Sequence, residues 1–162
     1  MSIFMNYEGI KGESSDQGHK DWIDVDVWQF GVQRGITSAS STKGDRESSN
    51  AVIKHLQIIK KIDSASNKLL IESCCGTGKT IKLHLTKTGS GSGADSYMEY
   101  TLKNAIISGY DVGGVAGDTD RPTETITISF VELEAKYIPY DDDGNPTSPD
   151  VVGFDTATNT RK

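Results

Sequence analysis

Five features of this 162-residue chain have the residue types that chemistry needs: Gly76-Thr77-Gly78-Lys79-Thr80, Asp141-Asp142-Asp143-Gly144-Asn145, the adjacent Cys74 and Cys75, the carboxylates Asp24 and Asp26, and the histidines His19, His55 and His84. The first ends as a phosphate-binding loop does. Such a loop also needs a glycine five residues before Gly78, where Ser73 stands, with a strand before it and a helix after. Here the order is reversed, because a helix precedes and Ile81, Leu83 and Leu85 then alternate with Lys82, His84 and Thr86 as a strand. No helix N-terminus is left to face a phosphate. The second opens like a calcium loop, but its sixth position requires glycine and holds Pro146, and its twelfth lacks glutamate. It reads as a solvated acidic turn.

Neighbouring cysteines cannot form an unstrained disulfide. Cys74 and Cys75 are read as small buried residues at a helix end, in a protein made in a reducing compartment. Two cysteines and three histidines without ligand spacing make no zinc site. Asp24 and Asp26 lie two residues apart on one face of a strand, and paired carboxylates can do acid–base work, but they fit a polar face opposite a core. The expectation is no enzyme activity, no metal and no cofactor.

The elements that would position these residues are mostly strands. Ile23, Val25 and Val27 alternate with Asp24 and Asp26, and the apolar parity then shifts to Trp28, Phe30 and Val32. Since side chains alternate faces with period two, a bulge between Val27 and Trp28 is needed to keep both sets on one face. A second shift separates Ile126, Ile128 and Phe130 from Val131, Leu133, Ala135 and Tyr137. Further strands are expected over 3–10, 22–34, 52–62, 81–86 and from Met98 through Ile107. Asp63-Ser64 reads as a helix start. The helix runs over about 64–75 with Leu69, Leu70, Ser73 and Cys74 on its apolar side, and Gly76 ends it. Residues 35–49 form a long polar loop, 109–122 a second one, and 141–162 an extended or disordered arm.

The fold class is mainly β: a small bulged β-barrel of two antiparallel sheets with one short helix, in a single domain over 1–162. Seventeen basic and 23 acidic residues give a net charge of −6, which argues against nucleic-acid binding. No apolar run approaches the roughly 18 residues of a membrane span. Met1 to Asn6 lack the basic and apolar regions of a signal peptide, so export is expected to use another route.

The ordered set Ile10-Lys11-Gly12-Glu13-Ser14, His19, Ile23-Asp24-Val25, Trp28 to Gly31, Lys60 to Ser64, Thr101-Leu102 to Ile107-Ser108, and Glu124 through Phe130 to Tyr137 resembles the hemolysin-coregulated protein (Hcp) family, the tube protein of bacterial type VI secretion. The resemblance implies a homo-hexameric ring whose copies stack into a hollow tube. A contractile sheath on a baseplate ejects that tube with the spike protein VgrG, and effector proteins travel with it. The subunit is then made in the bacterial cytoplasm and secreted without a signal peptide. A head-to-tail ring needs two complementary flanks on each subunit. The resemblance places Gln29 on the lumenal wall, with Asp26 and Asp24 as further candidates for that polar face. It also makes the 35–49 loop, through Ser40, Lys43, Asp45, Arg46 and Glu47, the candidate for reaching a stacked ring. The alternatives are a phage tail-tube relative and a β-barrel binding module for a small ligand or peptide, using Trp22, Trp28 and the tyrosines. A nucleotide hydrolase working through residues 76–80 is disfavoured.

Overall fold

A computed structural model describes residues 1–36, 49–89 and 91–162. In chain order the strands are β1 (Ser2–Tyr7), β2 (Ile23–Val25), β3 (Val27–Gln29), β4 (Val32–Gln33), β5 (Val52–Ile53), β6 (Leu56–Lys61), β7 (Lys79–Lys87), β8 (Asp95–Gly113), β9 (Thr123–Ser129), β10 (Glu132–Tyr137), β11 (Asp150–Asp155) and β12 (Thr160–Arg161). One α-helix, α1 (Ser66–Cys75), lies between β6 and β7.

Two antiparallel sheets share β8. Its first half pairs with β7 and β10 in a sheet ordered β2-β1-β7-β8-β10-β11-β12. Its second half pairs with β9, which continues to β6 and β3. The short β4–β5 pair stands apart. The strands do not close into a barrel: among the described residues β2 pairs with β1, β3 pairs with β6, and the ladder breaks between them at Asp26. The Asp26 amide donates to the Ile59 carbonyl at 2.9 Å and bridges that break.

Both parity shifts mark places where the chain crosses from one sheet to the other. Asp26 and Val27 are both exposed, so the first irregularity lies one residue before the expected position. The second falls at Phe130-Val131, between β9 in the second sheet and β10 in the first. A strand that changes sheets must re-aim its side chains, and an unpaired residue does so at small cost. Trp28 and Phe30 consequently turn inward against Tyr100 of the first sheet, with ring centroids 5.0 and 5.4 Å away.

The core lies between the sheets. Met5, Ile23, Leu83 and Leu102 come from the first, Leu56, Ile58, Ile126 and Ile128 from the second, and Leu69 from α1. Burying each such side chain stabilises the fold by about 1.5–3 kcal/mol. Asp63 caps the helix region: its Oδ1 accepts the Ala65 amide at 2.9 Å, and its own amide donates to Ser66 Oγ at 2.9 Å.

Several expectations require correction. The helix buries Ser66 and Leu69, while Leu70, Cys74 and Cys75 are exposed. The stripe at i, i+3 and i+4 is filled from Ala65 onward, which turns the two thiols to solvent. Residues 109–113 continue β8, so the second loop is shorter than expected. The tail past Tyr140 supplies β11 and β12, and β11 pairs with β10 along its whole length. Its aspartates and glycine suggested an arm, but Val151, Val152 and Phe154 give it strand character. Gly12 has no positive φ. It is needed for close approach, because a Cβ there would overlap the Trp22 carbonyl oxygen and lie 2.6 Å from Ile23 Cα.

Candidate functional site

The outer face of the second sheet is built by register. Gln29 of β3 is opposite Gln57 of β6, which is opposite Thr127 of β9, which is opposite Gly109 of β8. The next row runs Val27, Ile59, Thr125 and Asp111. Alternation sends the intervening Leu56, Ile58, Ile126 and Ile128 into the core, which leaves this face a bed of amides, threonines and short apolar groups with the carboxylate of Asp111 at its β8 side. Gln29 is exposed, and its Nε2 donates to Gln57 Oε1 at 2.8 Å. Each amide keeps further donors and acceptors for a visitor. Ser108, set out of register where the β8–β9 ladder shifts, lies 3.0 Å from His55 Nδ1 and donates to the Thr127 carbonyl at 3.3 Å.

The three residues proposed for a lumenal wall do not share one surface. Asp24 is opposite Phe4 of β1, on the outer side of the first sheet, and Asp26 sits at the corner between the sheets. Both line a cleft of about 240 Å³ with Glu13, Lys61, Asp63 and Arg121. Burial, and then the neighbouring charges of Asp63, Asp26 and Glu13, push the Asp24 carboxyl above its ordinary range. Lys61 pairs with Asp120 at 2.7 Å and Arg121 with Glu13 at 3.5 Å across the same cleft. Ser40, Lys43, Asp45, Arg46 and Glu47 lie outside the described residues.

Residues 76–80 have the context that excludes a phosphate loop. Helix α1 ends at Gly76 and β7 begins at Lys79. Gly78 is needed for its contact with Asn104, whose Oδ1 occupies the space a Cβ would take. Asp141 Oδ1 accepts the amides of Asp143 and Asn145, which makes 141–145 an Asx turn.

Two polar clusters were not legible as sites from spacing. Lys60 and Glu124 are fully buried, and Lys60 Nζ reaches Glu124 Oε2 at 2.6 Å and Asp63 Oδ1 at 2.9 Å. Tyr110 hydroxyl donates to the other Glu124 oxygen. A signal did exist, since Lys60 shares parity with Leu56 and Ile58, and Glu124 with Ile126 and Ile128. The second cluster is His19, His84, Asp16 and Ser96, brought together from a loop and two strands. Nothing in their sequence separation announces it.

A family model described as type VI secretion system effector, Hcp, matches residues 4–137. The chain belongs to the Hcp family of type VI secretion proteins. Protein hcp1 of Pseudomonas aeruginosa is 32% identical over 147 residues, covering 89% of this chain and 87% of that protein. A solved structure of a type six secretion system protein is 28% identical with a TM-score of 0.90, covering 99% of both chains. Hcp1 from Salmonella typhimurium shares the fold, with a TM-score of 0.75 at 23% identity over 99% of this chain and 98% of that one. Hcp proteins are structural, secreted tube proteins rather than an enzyme family. Among the described residues, no helix is long and apolar enough to cross a membrane.

Proposed function

We propose that this Hcp chain is the subunit of a homo-hexameric ring, that rings stack into the type VI tube, and that the outer face of the second sheet lines the bore. The observation that carries the reading is the Gln29–Gln57–Thr127 row on a sheet face that the core leaves bare. A wall that must hold cargo and then release it benefits from many weak neutral hydrogen bonds rather than fixed charges, since neutral pairs contribute only about 0.5–1.5 kcal/mol each. The chain acts by assembly and transport and carries no catalytic activity of its own. It is made in the cytoplasm, meets the sheath, baseplate and spike protein VgrG there, and leaves with effector proteins.

Secretion tests this reading. In a cell with an active type VI apparatus, the tagged chain accumulates in the medium, and deletion of the sheath abolishes its release. Undiminished release without the sheath contradicts it.

A further inference from the structure

The segment 11–22 crosses the outer side of the first sheet, and the ring of His19 lies at the centre of its contacts there. His19, 3% exposed, stacks on Phe4 of β1 with centroids 4.5 Å apart and an interplanar angle of 9°. Trp22 closes over it edge-on at 4.9 Å and lies 4.5 Å from the ring of His84 on β7. His19 Nδ1 is 2.8 Å from Asp16 Oδ2, and His19 Nε2 is 3.0 Å from His84 Nδ1. Asp16 uses its other oxygen to accept the Ala94 amide at 2.9 Å. Ser96 Oγ completes the group, 3.1 Å from His84 Nδ1 and 3.4 Å from His19 Nε2.

Two imidazole nitrogens facing each other at 3.0 Å need one donor and one acceptor. With His19 donating from Nδ1 to Asp16, two arrangements satisfy the contact. Either His19 is neutral and accepts from His84 Nδ1–H, or His19 is an imidazolium and donates to an unprotonated His84 Nδ1. Each places a single proton between the rings. Full protonation of both residues would set N–H against N–H, and the contact would have to open.

We propose that His19 and His84 form an acid-sensitive clasp, holding segment 11–22 on the first sheet while one proton lies between their facing nitrogens and releasing it when both nitrogens carry one.

The surrounding charges do not relieve the second proton. Asp16 is committed to His19 and Ala94. Glu99 of β8 is opposite His84 but is paired with Lys136 of β10 at 3.2 Å. Lys82 on β7, Lys136 and His19 itself all oppose a charge on His84, whereas Glu99 favours it. Asp24 on β2 lies on the same outer side, across Phe4 from His84, and is itself held towards its neutral form. Burial is the largest influence on His84 and holds it down to about 4, against an ordinary 6.5. A released ring binds its proton at a higher pH than the docked one. Docking is therefore fully favoured above pH 6.5 and weakens as pH falls towards about 4. Release also reaches the start of α1, because Glu13 in the same segment accepts the Ser64 amide at 3.0 Å.

The test is histidine ring ¹⁵N NMR on the whole protein from pH 7.5 to pH 4, combined with amide hydrogen-exchange protection factors. Exposed His55, in the link between β5 and β6, is the reference ring. At pH 7.5 the facing nitrogens of His19 and His84 should read as one protonated and one bare. On acidification the bare nitrogen should gain its proton in the same transition in which Ala94 loses protection at least tenfold, while Leu102 and Ile126 in the core keep theirs. In His84→Leu, which removes the second ring, Ala94 should stay protected across the range. The proposal is overturned if both facing nitrogens are protonated while Ala94 remains protected. It is equally overturned if Ala94 and the core amides lose protection together, or if His84→Leu loses Ala94 protection at the same pH as the parent.

Discussion

Lys60 and Glu124 are cross-strand partners on β6 and β9 that both point into the core, with Nζ and Oε2 2.6 Å apart and neither side chain exposed. Two charges out of water are tolerable here because each proton of Lys60 has an acceptor and each Glu124 oxygen has a donor. Lys60 also donates to the Lys61 carbonyl at 2.8 Å and to Asp63, while Glu124 accepts from Tyr110. The network ties the second sheet to the start of α1. Lys60→Ala should strand the Glu124 carboxylate and destabilise the fold by about 3–5 kcal/mol. Lys60→Met with Glu124→Leu should recover part of that, measured by denaturant unfolding beside the Lys60→Met and Glu124→Leu single variants as a double-mutant cycle. A single-substitution cost below about 1 kcal/mol would show that the pair is solvated.

Gly12 is needed for room. Its α-carbon faces the backbone of Trp22 and Ile23, which cannot withdraw as a flexible side chain could. Gly12→Ala should cost about 1–3 kcal/mol as overpacking and should lower the thermal midpoint, whereas Gly144→Ala, in open space but at φ +81°, should cost less. Equal losses at the two sites would contradict the close-approach account.

Gln29 points away from the core on a face whose cross-strand neighbour is Gln57. Gln29→Trp should leave the unfolding free energy within about 0.5 kcal/mol of the parent, as surface changes usually do. It should reduce retention of co-purified effector proteins. Undiminished cargo retention would remove Gln29 from the wall.

The segment 35–49 is the proposed contact between stacked rings. Deleting Ser40 to Arg46 should leave folded rings and abolish tubes in electron micrographs. Tubes of unchanged length and number would assign stacking to other surfaces.

The apolar alternation of Ile23 to Val27 and of Ile126 to Phe130 made the strands legible, and the two parity shifts marked both sheet crossings to within a residue. Barrel closure was not legible. Parity reports which face a residue takes, whereas closure depends on which strands pair across the break at Asp26. The tail was misread because its turn, Asp141 to Gly144, is polar, although Val151 and Val152 carry strand propensity. Gln29 is exposed between half-buried Trp28 and Phe30, as the alternation of a strand requires. Asp24 and Gln29 were grouped together because strand 22–34 was taken as continuous, and the crossing at Asp26 puts them on different sheets. The His19–His84 pair was hidden because its members lie 65 positions apart, and no local pattern encodes such a contact.

The most direct measurement is light scattering on the size-exclusion peak, followed by electron microscopy of that peak. A hexameric ring gives a particle of six 17.5 kDa chains and annular images with an open centre. A 17.5 kDa particle at every concentration, with no rings in the micrographs, would contradict it.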